Sequence, residues 1–250
     1  DNLAQRRLGV RGVERLDGLI GGGLFQGSAT LVSGATGTGK TLTACHFLAG
    51  IGPGERGLLL GYEESRTQVL RDAMGWGLPL PDLEQQERLR VACDYPETLG
   101  LAEHLLMAQS HVEEFQPDRV ALDSLTALQR IGNLRSFREF VLGLISFLKS
   151  RGITLLMTST ATSESENGGG SLTETQVSSV ADGLVLLRYL ESPGRIDRAM
   201  AVLKLRGTAH DQAVRELTIG DQGMQIGEPL DVHAHMLLEG GVGSHGGRLS

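Results

Sequence analysis

Cysteine, tryptophan and long apolar runs are scarce in this chain of 250 residues. Its two cysteines, Cys45 and Cys93, form no CxxC pair, so we expect reduced thiols and neither a disulfide framework nor a cysteine-rich zinc site. No run reaches the roughly 18 uncharged apolar residues of a membrane span, and residues 1–11 lack the apolar segment of a signal peptide. These absences predict a cytoplasmic protein that does not cross a membrane.

Positive charge is also in short supply. Lys and Arg number 23 against 30 Asp and Glu, which leaves a net charge of −7 at pH 7 and an isoelectric point near 5.5. Proteins that bind nucleic acid neutralise phosphates with clustered Lys and Arg, so this balance argues against a nucleic-acid partner. Apolar residues make up 40% of the chain, which is enough for the packed core of a globular protein.

Short apolar runs alternate with segments of helical spacing along most of the chain. The runs are rich in branched residues and predict buried strands at 29–32, 58–60, 89–92, 120–122, 153–157 and 184–187. Helical spacing occurs at 42–49, 66–74, 101–115 and 137–149. This alternation indicates an α/β fold with a mainly parallel, twisted sheet flanked by helices.

The last third of the chain follows a different pattern. Its apolar segments are separated only by turns, which predicts an antiparallel C-terminal extension at 184–189, 200–205, 214–219 and 224–226. Residues 239–250 contain five Gly in twelve residues, and we expect them to form a flexible tail. The prediction is therefore one domain over residues 1–238 and a glycine-rich tail at 239–250.

Residues 34–41 read GATGTGKT, which fits the phosphate-loop pattern GxxxxGK[ST] between a predicted strand and a predicted helix. The glycines let backbone N–H groups fold around phosphate oxygens, Lys40 supplies positive charge, and Thr41 places a hydroxyl on Mg²⁺. A glycine-rich strand-to-helix turn is the alternative, but it needs neither Lys40 nor Thr41. The motif predicts binding of ATP and Mg²⁺ by Gly34, Thr36, Gly37, Thr38, Gly39, Lys40, Thr41 and Leu42.

Three carboxylates follow predicted strands. Asp123 comes directly after the run 120–122 and can hold Mg²⁺ through water, although a helix or turn cap explains many such residues. Glu63 and Glu64 follow the run 58–60. Beside a nucleotide, one of them could act as a general base and the other could help to bind the metal. The alternative for this pair is the first turn of the next helix, where the helix dipole favours acidic residues.

A stretch rich in Ser and Thr precedes the predicted strand 184–187. Ser171 and Glu174 have the spacing of a capping box, which predicts the start of a short helix. Ser178 and Ser179 lie within that helix. Taken by themselves these serines indicate an ordinary turn or cap rather than a modification site.

Taken together, these motifs resemble the KaiC family of RecA-like ATPases, and specifically its C-terminal kinase domain. The matching segments are GGGLF at 21–25, GATGTGKT at 34–41, YEESR at 62–66, WG at Trp76, ALDSL at 121–125 and KLRGTAHD at 204–211. A complete KaiC carries two such domains in tandem. Because this chain has one phosphate loop and no initiator Met, the resemblance implies a portion of a longer protein.

The resemblance implies a homohexameric ring with ATP between subunits. Lys40 and Thr41 would contact the nucleotide from one side, and Trp76 would contact the adenine. The neighbouring subunit would contribute Arg198, Lys204, Leu205, Arg206, Thr208, His210 and Gln212. In that set Lys204 and Arg206 would face the γ-phosphate, an arginine-finger arrangement supplied in trans. KaiA-like or KaiB-like regulators, or a signalling partner, are implied as further partners.

The resemblance also implies a kinase that phosphorylates its neighbour and can return the phosphate to ADP. Ser178 and Ser179 match the family's phosphoacceptor pair, which is commonly Ser-Thr, and Thr173 matches a nearby threonine. Glu63 would be the general base for the hydroxyl, and Glu64 a magnesium contact. The implied catalytic residues are therefore Lys40, Glu63, Glu64, Lys204 and Arg206.

Two alternatives to the kinase remain open at this stage. A KaiC-like ATPase or signalling scaffold needs only water in place of the serine hydroxyl. A RecA-type DNA-dependent ATPase would share the fold, but residues 152–187 contain no Lys or Arg and carry Glu164, Glu166 and Glu174. That stretch includes the region of a DNA-gripping loop, and its charge would repel phosphates. A role in a circadian or other timing system is implied by the resemblance alone.

Overall fold

The computed structural model describes residues 7–8, 14–20, 22–161, 177–192, 194–207 and 209–230. Within these ranges the strands are β1 (Arg7–Leu8), β2 (Leu24–Phe25), β3 (Ala29–Gly34), β4 (Gly57–Gly61), β5 (Leu89–Cys93), β6 (Arg119–Asp123), β7 (Thr154–Thr160), β8 (Gly183–Ser192), β9 (Arg195–Leu205), β10 (Arg215–Gly220) and β11 (Gly223–Pro229). The helices are α1 (Glu14–Leu19), α2 (Lys40–Ala49), α3 (Arg66–Gly75), α4 (Leu80–Gln85), α5 (Leu101–Phe115), α6 (Leu125–Gln129) and α7 (Leu134–Ser150).

Nine of these strands form one sheet in the order β11-β10-β9-β8-β3-β7-β6-β4-β5. The six neighbouring strands β8, β3, β7, β6, β4 and β5 run parallel to one another, whereas β9, β10 and β11 pair antiparallel on the other side of β8. The predicted α/β fold with an antiparallel C-terminal extension is therefore confirmed. We call the edge where the parallel strands end the carboxyl edge, and the edge where they begin the amino edge.

The parallel strands are buried on both faces, which explains their nearly continuous apolar runs. Every residue of β3, β4 and β6 is buried. Alternate residues point to two hydrophobic clusters: Val32 and Leu59 pack with α1 to α4, and Leu31 and Leu58 pack with α5 to α7. Two helical layers thus fix the positions at which the strands end, and those ends carry the candidate site.

Three short helices and one long hairpin differ from the sequence prediction. The helices α1, α4 and α6 span at most six residues each, which is too short for a helical period to stand out. Strands β8 and β9 continue past the end of β3, since Gly34 pairs with Leu187 while β8 runs to Ser192. The predicted capping box at Ser171, Thr173 and the tail at 239–250 lie outside the described residues.

No helix in the described ranges combines the length and the apolar character that crossing a bilayer requires.

Candidate nucleotide-binding site

The phosphate loop connects β3 to α2 at the carboxyl edge, as the sequence predicts. Gly37 and Gly39 have positive φ angles of 80° and 107°, a conformation that favours glycine. A Cβ at Gly37 would come within 2.6 Å of the Tyr189 hydroxyl oxygen, and one at Gly39 within 2.9 Å of the Ile219 Cδ1. The backbone angle therefore favours glycine at these two positions, and a larger residue would also displace the ends of the Tyr189 and Ile219 side chains.

Lys40 begins α2 and is buried inside the loop. Its Nζ donates a hydrogen bond to the Ala35 carbonyl at 2.9 Å, and the Thr38 hydroxyl donates to the same oxygen at 2.8 Å. Burial lowers the pKa of Lys40, while the charges of Asp123 and Glu63 oppose that shift. Lys40 is the first residue of α2, and the N–H groups of a first helical turn have no partner within the helix, so a phosphate group here can contact the ammonium and these N–H groups at once.

Asp123 ends β6 beside the phosphate loop. Its Oδ2 accepts a hydrogen bond from the Thr41 hydroxyl at 2.8 Å, and its Oδ1 accepts one from the Thr158 hydroxyl. Burial raises the pKa of Asp123, and the two hydroxyl donors work against that rise. A carboxylate and a hydroxyl on adjacent elements are the oxygen ligands that Mg²⁺ prefers.

Glu63 and Glu64 lie between β4 and α3, also at the carboxyl edge. Helix α3 begins only at Arg66, after Ser65, which forms a capping box with Gln68. The alternative that placed both carboxylates in the first turn of this helix is therefore wrong. Glu63 is exposed, and its charge acts on both Lys40 and Asp123.

Glu64 differs from Glu63 in its surroundings. Its Oε2 is buried and has no hydrogen-bond partner among the described residues. Burial raises the pKa of Glu64, and the nearby charges of Asp123, Asp72 and Glu63 add to the rise. A cation near Asp123 would satisfy the orphaned oxygen and remove this repulsion, so the donor set of Thr41, Asp123 and Glu64 fits Mg²⁺.

An open cleft of about 480 Å³ lies next to the phosphate loop. It is lined by Arg71, Asp72, Gly75, Trp76, Ile219, Gly220 and Asp221. Trp76 is half-buried at the end of α3, and Ile219 reaches back to Gly39 of the loop. The cleft offers an aromatic ring and an aliphatic side chain beside the phosphate site, which suits a planar base.

Most of the residues that the resemblance attributes to the neighbouring subunit lie at the end of β9 or after it, whereas Arg198 lies near the start of this strand. Lys204 and Leu205 lie at the end of β9 on the amino edge, and Arg206 follows them. His210, which is half-buried, and Gln212, which is exposed, lie in the connection from β9 to β10. Thr208 lies outside the described residues.

Arg198, which the resemblance also attributes to the neighbouring subunit, contacts its own phosphate loop. It is at the opposite end of β9, where its Nε donates to the Gly37 carbonyl of its own phosphate loop at 3.0 Å. Its neighbour across the hairpin, Tyr189, donates to the Thr36 carbonyl at 3.1 Å. Register decides this placement, since Arg198 pairs with Tyr189 beyond the end of β3, while Leu205 pairs with Gly183 at its start.

Ser178 and Ser179 precede β8 on the amino edge, in a turn that we call the serine turn (residues 177–182). Residues 177–180 are helical, Ser178 is half-buried and Ser179 is exposed. Lys204 donates to the Ser178 carbonyl at 2.7 Å, and Arg206 donates to the Ser179 carbonyl at 3.0 Å. The structure thus brings the predicted acceptor serines together with Lys204 and Arg206, and separates them from the phosphate loop of the same chain.

Two contacts of the site escaped sequence reasoning. Thr158 binds Asp123 because β7 lies next to β6, and Tyr189 reaches Thr36 because β8 outruns β3. A signal for Thr158 exists in the polar run Thr158–Ser159–Thr160, which ends the otherwise largely apolar strand β7 at the carboxyl edge.

A buried strand, a glycine-rich loop with a buried lysine, a helix and a carboxylate at the end of a nearby strand define a P-loop nucleotide-binding domain. The strand order and flanking helices give it a RecA-like architecture. The family model described as "ATPase: KaiC" matches residues 10–231. The chain belongs to the KaiC family, as its motifs indicate.

Named relatives agree with this assignment. The chain is 48% identical to the "Circadian clock protein KaiC3" of Synechocystis sp. over 231 residues, which are 91% of this chain and 45% of that protein. It is 44% identical to the "Circadian clock oscillator protein KaiC" of Thermostichus vulcanus over 90% of this chain and 44% of that protein. For the protein of the same name from Synechococcus elongatus the values are 43%, 90% and 44%. The chain therefore spans less than half the length of these relatives.

Proposed function

We propose that this domain is an ATPase and a serine autokinase that transfers the γ-phosphoryl group of ATP to Ser178 or Ser179 of a neighbouring subunit in a homohexamer. The reverse transfer to ADP belongs to the same proposal. The observation that carries it is the placement of the acceptor serines beside Lys204 and Arg206 on the amino edge, while the phosphate loop lies on the carboxyl edge.

The separation of the two edges supports transfer between chains. Strand β3 runs from Ala29, next to the serine turn, to Gly34 at the phosphate loop. Its six residues are joined by five steps of about 3.3 Å, which put the two ends about 17 Å apart. Phosphoryl transfer needs reacting atoms within about 3.5 Å of each other. A chain therefore does not reach its own serines with its own ATP, but a second copy in a ring can.

Each proposed catalytic residue has a distinct task. Glu63 accepts the proton of the serine hydroxyl as its Oγ bonds to the γ-phosphorus and the bond to the β-phosphate oxygen breaks, which releases ADP. Lys40 holds the β- and γ-phosphates from the phosphate loop, and Arg198 steadies that loop from the same chain. Lys204 and Arg206 of the neighbour balance the charge of the transferred group.

The remaining proposed contacts are those with the adenine, those with Mg²⁺ and further contacts from the neighbouring subunit. Trp76 contacts the adenine in the open cleft. Thr41, Asp123 and Glu64 would hold Mg²⁺, which supplies charge neutralisation on the β- and γ-phosphates when bound. From the neighbour, Leu205, Thr208, His210 and Gln212 complete the set of residues near the nucleotide.

Intact mass spectrometry tests the proposal directly. The protein is incubated with MgATP and, in parallel, with MgADP. We expect a mass gain of one or two phosphate groups with MgATP, and loss of that gain when the phosphorylated protein is moved into MgADP. A chain that hydrolyses ATP without any mass gain would be a KaiC-like ATPase or scaffold instead.

Assembly should depend on ATP, because a ligand shared between subunits stabilises the ring by mass action. At a concentration 100 times the dissociation constant this contributes about 2.7 kcal/mol per site. Light scattering should give a hexamer mass with MgATP and a smaller mass after its removal. The same mass in both samples would contradict a nucleotide shared between subunits.

The phosphate loop should be weakened by the change Tyr189→Phe, which removes the hydroxyl that donates to Thr36. A neutral hydrogen bond contributes about 1 kcal/mol, so we expect ATP affinity to fall roughly fivefold by calorimetric titration. Tyr95→Phe is the matched control, since Tyr95 is 76% exposed and lies after β5. Equal dissociation constants for the two variants would contradict a role for Tyr189.

The wider setting is proposed on the names of the relatives. The relatives are called circadian clock proteins, and we propose a timing role with KaiA-like or KaiB-like regulators, or another signalling partner, in the cytoplasm. Co-purification of the assembled ring with candidate regulators from the source cells, with and without MgATP, tests this setting.

A further inference from the structure

A cluster of four charged side chains surrounds the serine turn, apart from the nucleotide site. Lys149 comes from the last turn of α7, Asp182 from the serine turn, and Lys204 and Arg206 from the end of β9 and the residue after it. Asp182 is the one carboxylate among the four. Its Oδ2 lies 2.6 Å from the Lys149 Nζ, and its Oδ1 lies 3.9 Å from the Arg206 Nη1.

Asp182 also joins the serine turn to the start of β3. Its Oδ2 accepts a hydrogen bond from the Ala29 amide at 2.8 Å, and its own amide donates to the Ala29 carbonyl at 2.7 Å. The carbonyl of Asp182 accepts from the Arg206 amide at 2.8 Å. Asp182 therefore connects the start of β3 to the residue that follows β9 through its own hydrogen bonds.

Lys204 and Arg206 hold the other end of the same turn. The Lys204 Nζ donates to the carbonyls of Ser178 and Ala181, both at 2.7 Å, and Arg206 donates to the Ser179 carbonyl at 3.0 Å. A lysine has three N–H donors and an arginine five, so each cation can bind these carbonyls and still donate to a phosphate. The two cations thus connect the serine turn to any phosphate that they contact.

We propose that Asp182 is a positioning residue for phosphoryl transfer, which holds the serine turn, Lys204 and Arg206 as one unit against β3. This inference rests on the proposed transfer between subunits. When Lys204 and Arg206 contact the γ-phosphate of the neighbour, a unit of this kind delivers the serine hydroxyl at a fixed distance from the phosphorus. That distance matters, because a displacement of about 1 Å costs on the order of 100-fold in rate.

The change Asp182→Asn tests the unit, since it removes the charge that holds Lys149 and Arg206 and keeps an oxygen for the Ala29 amide. Asp118→Asn is a close control. Asp118 precedes β6 as Asp182 precedes β8, and its Oδ2 accepts the Arg56 amide at 2.9 Å. Its backbone amide donates to the Arg56 carbonyl at 2.8 Å, so the two aspartates make the same backbone contacts at the same edge.

We expect Asp182→Asn to change the ratio of serine phosphorylation to ATP hydrolysis. Asp182→Asn should lower the rate of serine phosphorylation at least roughly tenfold and the rate of ATP hydrolysis much less, because water needs no positioning by the turn. Asp118→Asn should alter neither rate. Equal phosphorylation in the two variants would overturn the proposal. Hydrolysis that falls in parallel with phosphorylation would also overturn it, and would leave Asp182 as a support for the two cations alone.

Mixed rings assign the effect to one chain. In these rings one chain carries Lys40→Ala and the intact serines, and the other binds ATP but has both serines replaced by alanine. Asp182→Asn should slow transfer when it is in the chain that carries the serines. The same change in the ATP-binding chain should have no effect, and an equal loss from either placement would contradict a positioning role.

A second pair of variants covers the case in which Asp182→Asn does not fold. Lys149→Met should reproduce the loss of phosphorylation, and Lys149→Arg should restore it, because only the latter keeps the ion pair with Asp182. Hydrogen exchange of residues 177–181 should rise in Lys149→Met and not in Lys149→Arg. A wild-type ring that gains no phosphate refutes the proposed kinase, whereas unchanged exchange and phosphorylation in Lys149→Met refute this inference alone.

Discussion

Replacing Lys40 by alanine is expected to lower ATP affinity by roughly 100-fold or more. Lys40 provides the buried cation of the phosphate loop, with its Nζ now bonded to the Ala35 carbonyl. Two charge-assisted hydrogen bonds to the β- and γ-phosphates, at about 1.5 kcal/mol each, account for a loss of this size. Isothermal titration calorimetry with ATP measures this loss of affinity.

The control for this variant is Arg135→Ala, which removes an exposed cation on α7 that pairs with Glu139 in the next turn. It should leave ATP affinity unchanged, because a surface ion pair contributes little and lies away from the loop. Thermal unfolding without nucleotide should be similar for both variants. A near-native dissociation constant for Lys40→Ala in a folded protein would contradict the assignment of the site.

The central sheet could be predicted from the sequence because burial on both faces leaves a simple pattern. Runs such as 58–60 and 120–122 are apolar without interruption, and each became a strand of the parallel region. Helix α5 has the predicted bounds Leu101–Phe115, since its apolar stripe repeats over fifteen residues. The helix α4 was missed because its six residues are too few for a helical period to stand out.

The candidate site also contains some features that the sequence predicts and others that it does not. The phosphate loop is local in sequence, so its glycines and Lys40 could be read directly. The pairing of Thr158 with Asp123 depends on the order of β7 and β6, which no sequence pattern states. The side on which Arg198 lies depends on register in β9, because it lies seven positions before Leu205, which is at the opposite edge.

Replacing both Ser178 and Ser179 by alanine is expected to abolish phosphorylation while ATP hydrolysis persists. Both serines lie in the serine turn beside Lys204 and Arg206, and the phosphate loop on the other edge is unaffected by the change. Water then remains as the only acceptor for the γ-phosphoryl group. Phosphopeptide mapping and release of inorganic phosphate measure the two outcomes. Ser110→Ala, at an exposed serine of α5, should leave both unchanged.

Glu63→Gln should suppress phosphorylation of the same serines with ATP binding retained. The carboxylate of Glu63 is exposed at the carboxyl edge, so a hydroxyl from a second chain can approach it. Loss of a general base lowers the rate by about 100-fold or more, whereas the amide keeps the size and much of the polarity of the side chain. Glu113→Gln, on the exposed face of α5, is the control.

The direction of transfer follows from mixing two chains, neither of which can be phosphorylated alone. One carries Lys40→Ala and has both acceptor serines, and the other binds ATP but has alanine at 178 and 179. Because the two edges of the sheet are about 17 Å apart, we expect phosphate to appear on the Lys40→Ala chain only after the two are mixed with MgATP. Transfer within one chain would leave both partners unmodified, since neither chain has an ATP site and an acceptor together. Unmodified chains in a verified mixed hexamer, alongside a phosphorylated wild-type ring, would therefore refute transfer between subunits.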